Sequence, residues 1–267
     1  MMRSRLVALW SGFHGISKAP IAFRLKHPIN PEYVLEHIFL ADDIGATPME
    51  ESVMTTEVQI YGPVFSSFVR VVMLCCEEKG IGYRAGLTLD GAPIEFKSED
   101  HHALHPWGKI PVIKHRQQTL YETATICRYL DSYFDGPALQ PEDPAQRAQV
   151  DQWCATLSLY VDKALVRDYL LEFAFPKGEN GQIRMDKVLE AEPAVKAQLA
   201  IINTQLADQA FLCGASLTLA DLMLLPMLDY VAGLPQGDSL IEPGSALANY
   251  LERMRARPSA QKVLQQR

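Results

Sequence analysis

Two short motifs in this chain could hold a small peptide between them. The first is Ile110-Pro111, at the start of a β-rich stretch. Proline has no N–H to donate to a neighbouring strand, so it belongs at the end or edge of a sheet. A cis peptide bond is accessible at low cost only before proline, and a cis bond here would turn the N–H and C=O of Ile110 outward. The second motif is Glu122-Thr123, and Thr123 lies twelve positions after Pro111. This pair begins a predicted helix, whose first N–H groups have no partner within the helix and can bind a carboxylate. The spacing predicts a cradle for a small peptide.

The segments around these motifs predict a mixture of strands and helices. Alternating side chains indicate strands, and serine or glycine marks where the helices begin and end. The predicted elements are, in chain order, a strand ending at Tyr61, a helix capped by Ser66 or Ser67 that runs to Lys79, a strand over Tyr83–Leu89, a short irregular helix within 90–106, a hairpin of Pro111–His115 and Thr119–Tyr121, and a helix over Thr123–Phe134.

The second half of the chain is predicted to be helical. The segment Asp135–Pro144 holds three prolines and one glycine in ten residues and is the best candidate for a linker. After it, apolar residues recur at helical spacing over 150–165 and again over 195–206. Thr218 and Asp221 form a capping box with aspartate in its third position, ahead of an apolar helix that should be buried. We interpret this motif as structural.

The first 53 residues differ from the rest. They contain no acidic residue before Glu32 and several basic ones, a composition that can indicate a transit peptide. Met54 resembles a natural start, and 214 residues follow residue 53. We therefore expect residues 1–53 to be an inessential or poorly ordered extension. The remaining chain divides into one domain over 54–136 and a second over 145–267.

Composition excludes several classes of function. The net charge is −7, which disfavours a nucleic-acid partner. No apolar run approaches the roughly 18 residues that a membrane-spanning helix needs. The five cysteines form no C-x-x-C motif and no metal-ligand spacing with histidine, so we predict no metal and reduced thiols in a cytoplasmic protein.

The stretch from His105 to Asp131, together with the capping box, resembles the cytosolic glutathione S-transferases. In that family the pattern Asn-Pro-x-Gly-x-Val-Pro is followed by Glu-Ser-x-x-Ile, and a Gly-x-x-x-Thr-x-Ala-Asp string comes later. Here His105 replaces the asparagine and Thr123 the serine. The resemblance covers about Glu57 to Pro258. It implies an α/β thioredoxin-like N-terminal domain (βαβαββα) plus an all-α C-terminal domain.

The resemblance also assigns a binding role to matching positions. The backbone of Ile110, before Pro111, should pair with the cysteinyl part of glutathione. Glu122 and Thr123 should hold its γ-glutamyl end. Lys109 could contact the glycyl carboxylate, although a solvated surface lysine is an equal alternative.

A transferase of this family must ionise the thiol of glutathione. A free thiol has a pKa of about 8.5, and lowering it by about two units requires roughly 2.7 kcal/mol in favour of the anion. A hydroxyl that donates to the sulfur can supply about 1.5–3 kcal/mol. Ser66 is the predicted catalytic residue, because theta- and phi-like members carry their serine at the same offset from an arginine, here Arg70. Ser67 and Tyr61 are the alternatives, and either serine could simply cap the helix.

The predicted function is conjugation of the glutathione thiolate to small apolar electrophiles. Phe65, Tyr160 and Tyr169 are candidates for the electrophile pocket between the domains, and family members are usually homodimers. Two alternatives stay open. One is another glutathione-dependent reaction on the same fold, such as peroxide reduction, isomerisation or dehalogenation. The other is a non-catalytic module for protein–protein contact, which the retained Ser66 and the Glu122-Thr123 pair disfavour.

Overall fold

A four-stranded mixed sheet forms the centre of the first half of the chain. The computed structural model describes residues 58–266. The strands are β1 Val58–Tyr61, β2 Tyr83–Gly86, β3 Thr88–Leu89, β4 Ala92–Pro93, β5 Val112–His115 and β6 Gln118–Tyr121. In the sheet, β1 pairs in parallel with β2 and antiparallel with β5, and β6 extends the sheet beyond β5, which gives the order β2-β1-β5-β6. A small separate hairpin joins β3 and β4.

Three helices complete this domain: α1 Ser67–Lys79, α2 Glu99–Leu104 and α3 Thr123–Tyr133. Helix α1 is buried over most of its length because it contacts the sheet, α3 and the helical domain. It ends as predicted at Gly80, which adopts the left-handed conformation with φ 68°. The thioredoxin-like order βαβαββα is confirmed, with the β3–β4 hairpin added to it.

The rest of the described chain is helical, as predicted. Its elements are α4 Pro144–Thr156, a π-helical segment Leu157–Leu170, α5 Leu171–Ala174, a 3₁₀ turn Glu179–Gly181, α6 Met185–Gln205, α7 Leu219–Ala232, α8 Gly237–Leu240, α9 Ala246–Arg255 and α10 Pro258–Leu264. Helix α7 is the centre of this bundle, and nearly all its side chains are buried. No helix within 58–266 is both long and apolar enough to cross a membrane.

The π-helical segment carries two ion pairs at an unusual spacing. Arg167 donates to Asp162, with 2.7 Å between Nε and Oδ2, and Lys163 donates to Asp168. Both pairs are five residues apart. The spacing suits a helix with i→i+5 hydrogen bonds, in which residues five apart lie on the same face.

The predicted linker is held firmly in place. The Lys79 ammonium lies 3.0 Å from Oδ1 of Asp131 and 3.1 Å from the carbonyl oxygen of Pro137. Asp131 also accepts from the N–H of Leu139, and Leu139 is itself buried. The side chains of Lys79 and Asp131 are only 1% and 7% exposed. This buried ion pair fixes the connection between the two domains.

Three predictions of local structure need comment. The strand predicted over Tyr83–Leu89 is interrupted, since β2 ends at Gly86 and Thr88–Leu89 turns into the separate hairpin. The short helix predicted within 90–106 is α2, which contains His101 and His102 and whose first turn is capped by the side chain of Ser98. The predicted extension, residues 1–53, lies outside the described residues.

Candidate functional site

The ends of three neighbouring strands meet at one edge of the sheet. Tyr61, the last residue of β1, lies opposite Val112, the first residue of β5, and Val112 lies opposite Tyr121, the last residue of β6. Residues opposite each other in antiparallel strands have Cα atoms about 4.5–5.5 Å apart. The register therefore brings three segments to the same edge: the turn before Ser66, the Ile110-Pro111 step and the start of α3 at Thr123.

A glycine lets the turn after β1 lie close to its neighbours. Gly62 has φ +142°, and a Cβ built there would lie 2.6 Å from Cγ2 of Val69 and 3.2 Å from Cβ of Ile110. A side chain at this position is excluded by both conformation and space. The chain then turns through 63–66, where the N–H of Ser66 donates to the carbonyl oxygen of Pro63 at 2.9 Å.

Ser66 occupies the N-cap of α1, but its hydroxyl does not cap the helix. The residue is extended, with φ −66° and ψ 130°, and its side chain makes no capping hydrogen bond. The hydroxyl is therefore available to a ligand at the positive end of the helix. Ser67, the alternative, is 8% exposed and begins the helix itself. Of the two serines, Ser66 is the more accessible.

The peptide bond between Ile110 and Pro111 is cis, as predicted. Within the described residues, neither the N–H nor the C=O of Ile110 makes a backbone hydrogen bond. Ile110 as a whole is half-buried. The main chain at Ile110 can therefore pair with an extended peptide, as a strand does with its neighbour.

His101 holds the residue before this step. Its ring is fully buried, accepts from the N–H of Lys97 at Nδ1 (2.9 Å) and lies 2.9 Å from the carbonyl oxygen of Lys109 through Nε2. Because Nδ1 must accept, Nε2 carries the proton and donates to Lys109. The ring also contacts Tyr61 and Phe96, with centroids 4.9 and 5.1 Å apart. The exposed side chain of Lys109 is thus carried by an anchored backbone.

The side chain of His105 stabilises the turn that follows it. Its Nδ1 accepts from the N–H of Trp107 at 3.3 Å, the kind of local bond that an asparagine side chain makes two residues along. The ring stacks on Tyr121 with centroids 4.5 Å apart. Burial lowers the pKa of His105 and is the largest influence on it, opposed by the negative charge of Glu122. The substitution of histidine for the family asparagine is therefore compatible with the turn.

The start of α3 presents free backbone N–H groups. Glu122 is the residue before the helix and has φ +70° and ψ 110°, a conformation that is strained for a residue with a side chain. Its side chain makes no capping bond, and it is exposed. Thr123, the first helical residue, is 6% exposed. The unpaired N–H groups and the helix dipole favour a carboxylate here.

Tyr61 and the proposed pocket residues differ in accessibility. Tyr61 is fully buried, its hydroxyl donates to the carbonyl oxygen of Ile94 at 3.1 Å, and burial raises its pKa, so the geometry favours a packing role over catalysis. Tyr169 is also fully buried, and burial raises its pKa to about 12, which argues against its lining an open pocket. Tyr160 is 61% exposed on the π-helical segment, and Phe65 is half-buried.

The charge of Lys109 acts on an aspartate of the helical domain. Burial raises the pKa of Asp162 on the π-helical segment, and the hydrogen bond and positive charge of Arg167, followed by the positive charge of Lys109, oppose that rise. Among residues 58–266, no group of three His, Cys, Asp or Glu side chains is arranged to hold a metal ion.

Two residues at this site were not singled out from the sequence. They are His101, whose ring bonds to the carbonyl oxygen of Lys109, and Tyr230, whose hydroxyl donates to the carbonyl oxygen of Phe65. The bonds of His101 reach only four and eight positions along the chain, but a histidine in a short helix gives no sign of which backbone groups its ring will contact. Tyr230 lies 165 residues after Phe65, so no local pattern connects the two.

Comparisons with known proteins agree with this architecture. A family model for the glutathione S-transferase N-terminal domain matches residues 65–132, and one for the C-terminal domain matches 182–253. Glutathione S-transferase F12 of Arabidopsis thaliana is 29% identical over 211 residues, which cover 78% of this chain and 97% of the relative. A probable glutathione S-transferase, GSTF1, of Oryza sativa subsp. japonica is 27% identical over 78% of this chain and 95% of its own length.

Solved structures match over the same region. Poplar glutathione transferase F1 superposes with a TM-score of 0.69 at 25% identity, over 78% of this chain and 97% of its own. A theta class glutathione S-transferase from Xanthomonas axonopodis pv. citri, solved with glutathione bound, gives a TM-score of 0.63 at 25% identity over 79% and 98%. Fold and site together define a two-domain protein of glutathione transferase architecture. The chain belongs to the cytosolic glutathione S-transferase family.

Proposed function

We propose that this protein is a glutathione S-transferase that joins the thiolate of glutathione to small apolar electrophiles. In this reaction the sulfur attacks an electrophilic carbon, a carbon–sulfur bond forms, and the leaving group departs with its electron pair. The observation that carries the proposal is the Ser66 hydroxyl, which makes no capping bond within residues 58–266 and stands at a helix N-terminus on the same sheet edge as the main-chain groups of Ile110.

Ser66 stabilises the thiolate by donating a hydrogen bond to the sulfur. A hydrogen bond to a charged group contributes about 1.5–3 kcal/mol. The N-terminus of α1 adds about 0.3–1 kcal/mol. Together these account for a thiol pKa about two units below the free value of about 8.5, without a general base. Ser67 and Tyr61 are weaker candidates, because one is buried and the other already donates to Ile94.

Glutathione binds along the sheet edge in an extended conformation. The main chain of Ile110, next to Pro111, pairs with the cysteinyl residue. Glu122 binds the γ-glutamyl ammonium, and the backbone and hydroxyl of Thr123 bind the γ-glutamyl carboxylate. Lys109 neutralises the glycyl carboxylate on the side that faces the helical domain.

The proposal extends to the electrophile and the assembly, and membership of the family supports both. A hydrophobic electrophile occupies the space between the domains, next to Phe65 and Tyr160, while the fully buried Tyr169 is left out of the pocket. Residues 54–136 form the glutathione-binding domain and 145–267 the helical domain. The protein acts as a cytoplasmic homodimer.

The test compares wild type with Ser66→Ala and with Ser67→Ala as the matched control. We expect wild type to bind immobilised glutathione and to conjugate a generic aryl halide. Loss of one hydrogen bond to the sulfur should lower kcat/KM of Ser66→Ala about 10- to 150-fold at neutral pH. Ser67→Ala and Tyr61→Phe should retain activity.

Three results would count against this function. Wild type that neither binds glutathione nor conjugates the halide would indicate the non-catalytic module. Wild type that binds glutathione and instead reduces a peroxide or dehalogenates a substrate would indicate another glutathione-dependent reaction. Full activity in Ser66→Ala would remove Ser66 from catalysis.

A further inference from the structure

The turn that carries Ser66 is held at every one of its carbonyl oxygens. The carbonyl of Pro63 accepts from the N–H of Ser66, and that of Ser66 accepts from the N–H of Arg70, both at 2.9 Å. The carbonyl of Val64 accepts from Nε of Arg70 at 3.2 Å. The carbonyl of Phe65 accepts from the hydroxyl of Tyr230, in α7 of the helical domain. The last two bonds are made by side chains, and one of them crosses the domain boundary.

Arg70 and Tyr230 also contact each other. The guanidinium carbon of Arg70 lies 4.7 Å from the centroid of the Tyr230 ring, within the range of a cation–π interaction. Arg70 is 3% exposed, and its Nη2 donates to the carbonyl oxygens of Gln266 at 2.6 Å and Leu264 at 3.4 Å. The Arg70–Tyr230 pair therefore joins the Ser66 turn to α7 and to the chain after α10.

We propose that Tyr230 and Arg70 are positioning residues that orient the Ser66 hydroxyl towards the glutathione sulfur. The inference rests on the proposed role of Ser66 and extends it to the helical domain. Neither side chain needs to touch glutathione. Each fixes one peptide plane in the two residues before Ser66, and these planes determine where the Ser66 Cα–Cβ bond points.

The support of the turn matters for the reaction because the hydrogen bond from the Ser66 hydroxyl to the glutathione sulfur is directional. A hydroxyl-to-sulfur hydrogen bond weakens steeply when its angle or distance changes, whereas the binding of the glutathione backbone at Ile110 and Thr123 does not depend on this turn. Loss of the support should therefore affect thiol ionisation and kcat more than glutathione affinity. If the two side chains had a purely structural role, their loss would lower the stability of the protein and would not affect thiol ionisation and kcat more than glutathione affinity.

The decisive variant is Tyr230→Phe, which removes the hydroxyl and keeps the ring beside Arg70. Loss of one hydrogen bond that holds the turn should lower kcat/KM about fivefold and raise the pKa of the bound thiol. The Kd for S-methylglutathione, which has no thiol, should stay within about twofold of wild type. Amide hydrogen exchange of a peptide covering 63–68 should become faster. Tyr129→Phe is the matched control, because its hydroxyl contacts His115 at 2.7 Å, remote from this turn.

A double variant tests whether Tyr230 acts through Ser66. In a Ser66→Ala background, Tyr230→Phe should change kcat/KM by less than about twofold, because the bond it supports is already gone. Arg70→Lys keeps the charge but loses the guanidinium contacts, and it should accelerate exchange over 63–68 as Tyr230→Phe does.

Any of the following results would overturn the proposed positioning role of Tyr230 and Arg70. Unchanged exchange or an unchanged thiol pKa in Tyr230→Phe would show that Tyr230 does not position the turn. An equal loss in Tyr129→Phe, a weakened Kd for S-methylglutathione, or full additivity with Ser66→Ala would indicate a general structural effect. If Ser66→Ala itself retains full activity, the proposed function of Ser66 is refuted, and the positioning role with it, whatever the exchange data show.

Discussion

His101→Phe removes two hydrogen bonds while it keeps an aromatic ring in the same place. The native ring joins the N–H of Lys97 to the carbonyl oxygen of Lys109, each over 2.9 Å, and is fully buried against Tyr61 and Phe96. Phenylalanine can repeat the ring contacts but neither hydrogen bond. The variant therefore isolates the connection between α2 and the residue before Ile110.

The size of the effect follows from these two bonds. Each neutral hydrogen bond contributes about 0.5–1.5 kcal/mol net, so the free energy of unfolding should fall by about 1–3 kcal/mol. If glutathione must order the released segment Lys109–Pro111 at a cost of about 1 kcal/mol, its Kd should rise about fivefold.

Calorimetric titration with glutathione measures the Kd, and urea unfolding at one fixed protomer concentration measures the stability. His115→Phe is the matched control, since His115 is equally buried and packs against Tyr129 and Phe134 on a different part of the domain. It should change stability and leave the Kd unchanged. A His101→Phe protein that loses stability but binds glutathione as wild type does would refute the proposed anchoring of Lys109.

Three further predictions concern stability. Asp131→Ala leaves the buried charge of Lys79 unpaired and should lower the free energy of unfolding in urea by about 3–5 kcal/mol. The double variant Lys79→Met/Asp131→Asn should unfold with a free energy within about 1.5 kcal/mol of wild type, and a double variant as unstable as Asp131→Ala would contradict this. Asp221→Ala removes an acceptor of four hydrogen bonds and should cost about 3 kcal/mol or more, and a change below about 1 kcal/mol would refute its structural role. Burial lowers the pKa of His105 and of His115, so the unfolded chain binds protons that the folded chain does not. The contribution of these two residues to stability should be fully present at about pH 7.5 and should fall as the pH is lowered through about 6.5, and a flat profile from pH 7 to 5 would exclude this linkage.

Features with a local physical cause could be predicted from the sequence. The cis bond before Pro111, the left-handed Gly80 and the capping box of Thr218 and Asp221 each depend on residues a few positions apart. The same holds for the order of strands and helices, because alternation and helical periodicity are visible in short windows. These signals sufficed to predict the order of the elements, while the two-domain architecture and the binding roles of Ile110, Glu122 and Thr123 came from the resemblance to the glutathione S-transferases.

Features that depend on distant contacts could not be predicted. Tyr230 contacts a turn 165 residues earlier in the chain, and no spacing rule connects the two. The composition of the proline-rich linker gave no sign that the buried pair of Lys79 and Asp131 holds it. Tyr169 was chosen for its aromatic ring, but burial depends on how the helices pack, and it lies in the core.

The pKa of the glutathione thiol in the binary complex tests the central claim most directly. It can be measured from the ultraviolet absorbance of the thiolate as a function of pH, in wild type, in Ser66→Ala and in Ser67→Ala. Ser66 as the hydrogen-bond donor predicts a wild-type value about two units below the free pKa of about 8.5, and a rise of about 1–2 units in Ser66→Ala alone. An identical thiol pKa in wild type and Ser66→Ala would contradict it.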